Sequence, residues 1–272
     1  MNRKLQERRA LEADLRVALA CDGFRLAFQP QVNLEDGRIT GAEALLRWDR
    51  PGIGNVPPDQ FISVAEETGL IGQIGSWAIR EACRQAATWP EHIAIAVNVS
   101  PVQFRQAGLY ECVVAALRET GLRPNRLELE ITEGVLLNDS EETLNILGRL
   151  RDLGVKIAMD DFGTGYSSLG YLQKFPFDKV KIDRSFVRNL GQDPNAAAIV
   201  SAVVGMSRAL GVRANAEGVE QRAQADLLLS EGCEEVQGYL FGRPMFANAF
   251  NELLSVPTSN HGGRPKDTEV TS

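Results

Sequence analysis

The sequence predicts an α/β fold, a TIM-like (β/α)8 barrel whose first strand is inverted. Eight strand-like segments occur in the 272 residues, and long helix-like segments separate the later ones. Strands that follow each other through a helix become parallel neighbours, whereas the short Glu35-Asp36-Gly37 link predicts a hairpin between the first two. An open doubly wound sheet is the alternative arrangement of the same elements.

Alternation of apolar and polar residues, bounded by turn residues, defines the predicted elements. Strands are predicted at 25–34, 38–48, 93–100, 127–132, 155–161, 179–183, 213–217 and 235–241. Helices are predicted at about 58–68, 73–88, 102–119, 140–153, 167–174, 194–210 and 220–231. The barrel is therefore expected to occupy residues 21–255.

The two ends of the chain differ from this pattern. Residues 1–20 predict an amphipathic helix, which either closes the bottom of the barrel or connects it to an upstream sensory or signalling domain. Residues 256–272 are polar and have little to bury, so they predict a disordered tail.

Composition excludes several classes of function. The net charge of −7 and the pI near 5.1 argue against general binding to nucleic acid or anionic lipid, and no apolar run is long enough for membrane insertion. Four separated cysteines without a CxxC pair predict reduced thiols and a cytoplasmic protein. Because there are only two histidines, any metal site must be built from oxygen ligands.

Strand alternation places one set of polar residues toward the barrel axis and the apolar set toward the helices. The predicted interior residues lie near the C-terminal ends of seven strands, where barrel active sites are built. They are Glu43, Asn98, Glu130, Asp160, Lys181, Glu217 and Gln237. A buried ion pair explains any single one of them, but it does not explain the whole set.

Acidic residues dominate this predicted site. Its five carboxylates are Glu43, Glu130, Asp160, Asp161 and Glu217. Carboxylate and amide oxygens select hard divalent cations such as Mg²⁺, Mn²⁺ or Ca²⁺. Two chemistries fit: an enolase-type site with a lysine base, or a two-metal phosphodiesterase. Residue spacing alone does not separate them.

A series of motifs resembles the EAL family of cyclic di-GMP phosphodiesterases. The resemblance begins near Phe28, ends near Met245, and includes the name-giving Glu43-Ala44-Leu45. In chain order the motifs are FQPQVNL, GAEALLRW, FISVAEETGLI, NVSP, LELEITE, DDFGTGYSSL, KIDRSFV, AEGVE and EVQGYLFGRPM. The tripeptide alone is uninformative, whereas the ordered series is specific.

The resemblance implies a role for each site residue. Glu43, Asn98, Glu130 and Asp160 would hold a first metal, and Asp160, Asp161 and Glu217 would hold a second. Lys181 would orient or polarise the attacking water, and Gln237 would complete the network. Gln29 and Arg47 would contact the substrate phosphates. The implied reaction converts cyclic di-GMP to linear pGpG with two Mg²⁺ or Mn²⁺ ions, and the looser Ca²⁺ shell is expected to inhibit it.

The resemblance also implies a mobile loop over residues 162–169 that couples metal binding to a homodimer interface. Glu133 and Glu220 would support this loop, with Glu220 accepting hydrogen bonds from Thr164 or Ser167. In the alternative interpretation, Glu220 is only an acidic residue that complements the dipole of the following helix.

Two positions depart from the family pattern. Asn215 stands where an apolar residue is usual, and Gly134 stands where serine is common. Because neither is an implied ligand, the enzyme interpretation stands. Its rivals are a catalytically silent cyclic di-GMP receptor and an enolase-type barrel.

Overall fold

The computed structural model describes residues 2–21, 23–136, 141–163 and 175–256. The described helices are α1 (Asn2–Ala20), α2 (Pro58–Glu67), α3 (Ile71–Ala86), α4 (Pro101–Arg105), α5 (Leu109–Thr120), α6 (Glu141–Asp152), α7 (Arg184–Arg188), α8 (Pro194–Leu210), α9 (Arg222–Glu231) and α10 (Ala247–Ser255). The described strands are β1 (Phe24–Asn33), β2 (Ile39–Arg50), β3 (Gly54–Val56), β4 (Ala94–Asn98), β5 (Leu127–Thr132), β6 (Lys156–Phe162), β7 (Lys179–Ile182), β8 (Arg213–Ala216), β9 (Glu235–Gln237) and β10 (Met245–Phe246).

Eight of these strands close into a barrel with one inverted member. From β2 the parallel order continues through β4, β5, β6, β7, β8 and β9. Strand β1 pairs antiparallel with both β2 and β9 and so joins the two edges. This confirms the predicted barrel and its inverted first strand.

The apolar core lies between the barrel wall and the helix layer. Ile95 and Val97 of β4 and Leu129 and Ile131 of β5 are buried there, as the alternation predicts. Their polar neighbours along the same strands therefore face the barrel axis, because successive side chains of a strand point to opposite sides.

The predicted helix at 102–119 is wrong, because two helices occupy this region. Ser100 and Gln103 form a capping box at the start of α4, and Pro101 takes its first position. Helix α5 begins only after Gly108, whose φ of 105° is in the left-handed region. A backbone reversal that favours glycine thus divides the apolar pattern into two helices.

The predicted strand at 235–241 is also shorter than expected. Strand β9 ends at Gln237, and the backbone N–H groups of Phe241 and Gly242 donate to the carbonyl of Gly238 in a turn. The predicted helix at 167–174 and nearly all of the 256–272 tail lie outside the described residues.

Helix α1 packs against the barrel wall. Leu15 and Ala18 are buried in a small cluster with Trp48 near the C-terminal end of β2 and Phe61 of α2. The Arg50 guanidinium also pairs with Asp14, with Nη2 and Oδ2 2.5 Å apart. The helix therefore lies toward the C-terminal ends of the parallel strands, and the expectation that it closes the bottom of the barrel is wrong.

Among the described helices, none combines the length and apolarity that a membrane span requires.

Candidate active site

The C-terminal ends of the barrel strands bring the predicted polar residues together. Asn98 lies beside Glu130 in the β4–β5 register, and Gln29 lies opposite Glu43 in the β1–β2 register. Because the parallel strands end at the same rim, side chains far apart in sequence meet on the axis.

Lys181 lies at the centre of this site. Its Nζ is 2.7 Å from Glu130 Oε2, 2.6 Å from Glu217 Oε1, 3.2 Å from Asp160 Oδ1 and 3.8 Å from Glu43 Oε2. The side chain is only 1% exposed. One ammonium thus contacts four carboxylates, which leaves the cluster short of positive charge.

Two amides orient Glu43. Asn98 Nδ2 donates to Glu43 Oε1 over 2.6 Å, and Gln237 Nε2 donates to Glu43 Oε2 over 2.5 Å. Gln237 Nε2 also donates to Gln29 Oε1 over 3.0 Å. Because an amide that donates through nitrogen retains its oxygen, Asn98 Oδ1 is still chemically able to bind a cation.

A backbone irregularity allows the side chains of two consecutive residues, Asp160 and Asp161, to lie at the same rim. The β6–β7 register shifts between Met159 and Phe162, and Asp161 adopts a left-handed φ of 54°. Asp161 N donates to Asp160 Oδ1 over 2.9 Å. Burial and the neighbouring Asp160 and Asp183 raise the pKa of Asp161. Such a bulge re-aims side chains that regular alternation would place on opposite faces, and an aspartate tolerates the strained φ.

Burial and neighbouring charges shift the pKa values of the site residues in different directions. Burial raises the pKa of Glu130 well above its usual range; Lys181 opposes this effect and Glu43 and Asp160 add to it. Burial also raises the pKa of Glu217 to about 7, again against the effect of Lys181. For Glu43, burial acts upward, but Lys181 and the two amide hydrogen bonds outweigh it and lower the pKa. Burial acts to lower the pKa of Lys181, yet its four carboxylates raise it well above its usual range.

The donor set fits hard divalent cations in its chemistry. Its members are carboxylate and amide oxygens, and their negative charge exceeds what Lys181 neutralises. Within the described parts of the chain, no three acidic side chains are arranged as ligands of one ion. The carboxylates converge on the Lys181 ammonium instead, so cation binding requires them to reorient.

The two predicted substrate contacts lie on the β1–β2 side of the rim. Gln29 Nε2 donates to the carbonyl of Gly242 over 3.2 Å. Arg47 is half-buried, and burial lowers the pKa of its guanidinium. Glu43 and the phenol of Tyr239 are both near enough to oppose this shift. Tyr239 lies two residues beyond Gln237, on the turn that follows β9, and so belongs to the same rim, although the sequence patterns did not identify it.

The predicted loop supports are only partly described. The Gly163 N–H donates to Glu133 Oε1 over 3.4 Å, so Glu133 contacts the start of the loop. Glu220 is exposed, and its backbone N–H donates to Gln224 Oε1. Thr164 and Ser167 lie outside the described residues, so the role of Glu220 as a loop anchor stays a prediction.

A second polar layer lies below the site, and the sequence interpretation did not recognise it as a separate layer. Lys179 Nζ is 2.7 Å from Glu128 Oε1 and 2.9 Å from Glu235 Oε1, with all three side chains buried. Each lies two residues before a site residue on the same strand, so strand parity alone could have found the layer. Arg213 Nη2 also lies 3.8 Å from Glu128 Oε2, so two cations face two carboxylates in this layer and stabilise the barrel interior below Lys181.

Asn215 lies on the inner side of β8, beside Lys181 in the β7–β8 register. It is 0% exposed, and neither polar atom of its amide has a hydrogen-bond partner among the described residues. Asn215 therefore faces the barrel interior. A buried amide without partners lowers stability.

We expect Asn215→Val to raise the free energy of unfolding by about 1 kcal/mol, because it removes the buried amide at little change in volume. Thermal unfolding followed by circular dichroism measures the shift. A lower melting temperature in the variant would show that the amide makes a stabilising hydrogen bond.

Comparison with known proteins identifies relatives across most of the chain. The EAL domain model matches residues 12–244. A bifunctional diguanylate cyclase/cyclic di-GMP phosphodiesterase, MucR of Pseudomonas aeruginosa, is 47% identical over 249 residues, which are 90% of this chain and 36% of MucR. The cyclic di-GMP phosphodiesterase NbdA of the same organism is 41% identical over 90% of this chain and 32% of NbdA. The chain thus spans about a third of the length of these relatives.

Solved structures agree with the sequence relatives. A PaMucR phosphodiesterase in complex with c-di-GMP superposes with a TM-score of 0.85 at 46% identity, covering 89% of this chain and 99% of that one. The EAL enzyme Bd1971, with cAMP and cyclic di-GMP bound, superposes with a TM-score of 0.88 at 32% identity, covering 92% of this chain and 70% of that one. With this barrel, this rim of acidic residues and these relatives, the chain belongs to the EAL domain family.

Proposed function

We propose that this chain hydrolyses cyclic di-GMP to linear pGpG and so lowers the concentration of this second messenger in bacterial signalling. The observation that carries the proposal is the convergence of four carboxylates on Lys181 at the C-terminal rim of the barrel. Relatives named as cyclic di-GMP phosphodiesterases support the same substrate.

The resemblance to the EAL family implies which residues would hold two divalent cations. One cation would be held by Glu43, Asn98, Glu130 and Asp160. The second would be held by Asp161, Glu217 and the same Asp160. Mg²⁺ or Mn²⁺ suits these oxygen ligands, and Ca²⁺ is expected to inhibit. When bound, such cations stabilise negative charge on phosphoryl oxygens and lower the pKa of water.

Lys181 supplies the fixed positive charge of the site. In the metal-free site its carboxylate neighbours hold its pKa well above the usual range, and as an ammonium it would donate hydrogen bonds and stabilise the charge that grows on the phosphate in the transition state. An enolase-type mechanism needs a lysine that accepts a proton. The four ion pairs of Lys181 therefore favour phosphodiester hydrolysis over that alternative.

Substrate positioning is assigned to the β1–β2 side of the rim. The Arg47 guanidinium has the charge and geometry to bind a phosphate, and Gln29 is fixed by the Gly242 carbonyl and by Gln237. Glu133 and Glu220 would steady the loop that follows Asp161.

A homodimer, an upstream sensory domain and a cytoplasmic location complete the proposal. Helix α8 exposes Ile199 and Leu210, which a second copy could cover.

The relatives are about three times longer than this chain, which is consistent with additional domains. All four cysteines are free thiols, as a reducing compartment requires.

Chromatographic separation of the products tests the function. With Mg²⁺ or Mn²⁺ the chain should convert cyclic di-GMP to pGpG, and replacement of these ions by Ca²⁺ should stop turnover. Binding of cyclic di-GMP without any product would instead identify a silent receptor. If the chain neither bound nor hydrolysed cyclic di-GMP, the proposed substrate would be wrong.

A further inference from the structure

The turn that follows β9 is clamped to the rim from two sides. Val219 N donates to Gln237 O, and Leu240 N donates to Val219 O, each over 3.1 Å. At Gly238 a Cβ atom would be only 2.1 Å from Val219 O, so the close approach requires glycine. On the other side, Gln29 Nε2 donates to Gly242 O. The backbone of this turn therefore has little freedom beside Gln29 and Gln237.

Tyr239 lies on this clamped turn and is 50% exposed. Its ring carries the Arg243 guanidinium, whose Cζ is 4.3 Å from the ring centroid. A cation–π contact holds an aromatic ring in one orientation without covering both of its faces. Single exposed aromatic residues are common and usually need no explanation. This one differs because it sits on a rigid segment two residues beyond Gln237, at the rim that also holds Arg47.

A cyclic dinucleotide has two purine bases in addition to its phosphates. Among the residues assigned so far, those at the rim provide charge and hydrogen bonds for the phosphates but no flat surface for a base. Aromatic rings bind bases by stacking because both present a π-face. The half-exposed ring of Tyr239 has the shape and location to supply such a surface.

We propose that Tyr239, braced by Arg243, stacks on one guanine base of cyclic di-GMP and thereby sets the affinity of the site for purine dinucleotides. This inference rests on the proposed function of the site. Stacking acts equally on bound substrate and transition state, so its loss should raise KM and leave kcat nearly unchanged.

Three variants test the proposal. Tyr239→Leu removes the ring and should raise KM for cyclic di-GMP roughly 5- to 150-fold. Tyr239→Phe keeps the ring and should restore KM to nearly the wild-type value. Tyr110→Leu is the matched control, because Tyr110 also carries an arginine, Arg149, at 3.7 Å, but lies on α5 in the outer helix layer. The control should leave KM unchanged.

A fluorescent probe measures base stacking in the bound ligand without any turnover. A cyclic dinucleotide that carries 2-aminopurine in place of one guanine loses fluorescence when that base stacks. Wild type and Tyr239→Phe should quench the probe, whereas Tyr239→Leu should quench it much less. Wild-type KM and full quenching in Tyr239→Leu would overturn the stacking role while leaving the proposed function intact. Absence of cyclic di-GMP hydrolysis by the wild type would instead contradict the proposed function itself.

Discussion

Asp160→Asn should lower kcat for cyclic di-GMP hydrolysis by roughly 10³-fold or more. Asp160 accepts the Asp161 N–H over 2.9 Å and lies 3.2 Å from Lys181 Nζ. Asparagine has the same shape and still offers an oxygen to that N–H, but it lacks the negative charge. Steady-state kinetics with Mn²⁺ in excess measures the loss.

A matched variant separates this effect from a general loss of fold. Asp226 lies exposed on α9, where it accepts a hydrogen bond from Arg222. Asp226→Asn should therefore keep wild-type kinetics, and both variants should give the wild-type circular dichroism spectrum. Turnover within tenfold of wild type in a folded Asp160→Asn variant would show that Asp160 is not a shared ligand.

Lys181→Met should lower kcat by about 10²- to 10³-fold and should also make stability depend on divalent cations. The ammonium contacts four carboxylates inside the barrel, and removing one partner of a buried charge group costs about 3–5 kcal/mol. Added Mg²⁺ or Mn²⁺ can replace part of the lost positive charge. The melting temperature of the variant should therefore rise more with metal than that of the wild type.

The control for this variant is another lysine-to-methionine change. Lys156 Nζ is 2.8 Å from Asp178 Oδ1, but its side chain is partly exposed, and such pairs are worth at most about 1 kcal/mol. Lys156→Met should keep kcat and its metal response. If Lys181→Met raised only KM, the role of Lys181 in the transition state would be wrong.

Strand parity explains why so much of the site could be predicted. Residues two apart on a strand share a face, so Glu128 and Glu130, or Lys179 and Lys181, must point the same way. Parallel strands then bring their ends to one rim, which places Glu43, the residue opposite Gln29, among the other acids.

Features that depend on backbone irregularity could not be predicted in the same way. Regular alternation would place Asp160 and Asp161 on opposite faces, and only the register shift with its left-handed Asp161 changes this. The break before α5 depends on the left-handed Gly108, and the end of β9 depends on the close approach of Gly238 to Val219. Tyr239 was missed because its position follows from that turn rather than from a periodic pattern.

The lower layer shows that residue type and burial alone do not identify an active site. Glu128, Lys179 and Glu235 are as buried as the residues above them, yet with Arg213 beside Glu128 their two negative charges meet two positive ones. Lys181 instead faces more carboxylates than it can neutralise. Excess negative charge, rather than burial or residue type, distinguishes the candidate active site from the structural layer.

The excess negative charge at the rim should bind two divalent cations for phosphodiester hydrolysis. Metal-free protein is titrated with Mn²⁺, and bound Mn²⁺ and the initial rate of pGpG formation are measured in the same samples. Two ions should bind per chain, and the rate should rise only as the second ion binds. Full turnover with one ion bound, or in excess chelator, would contradict this expectation.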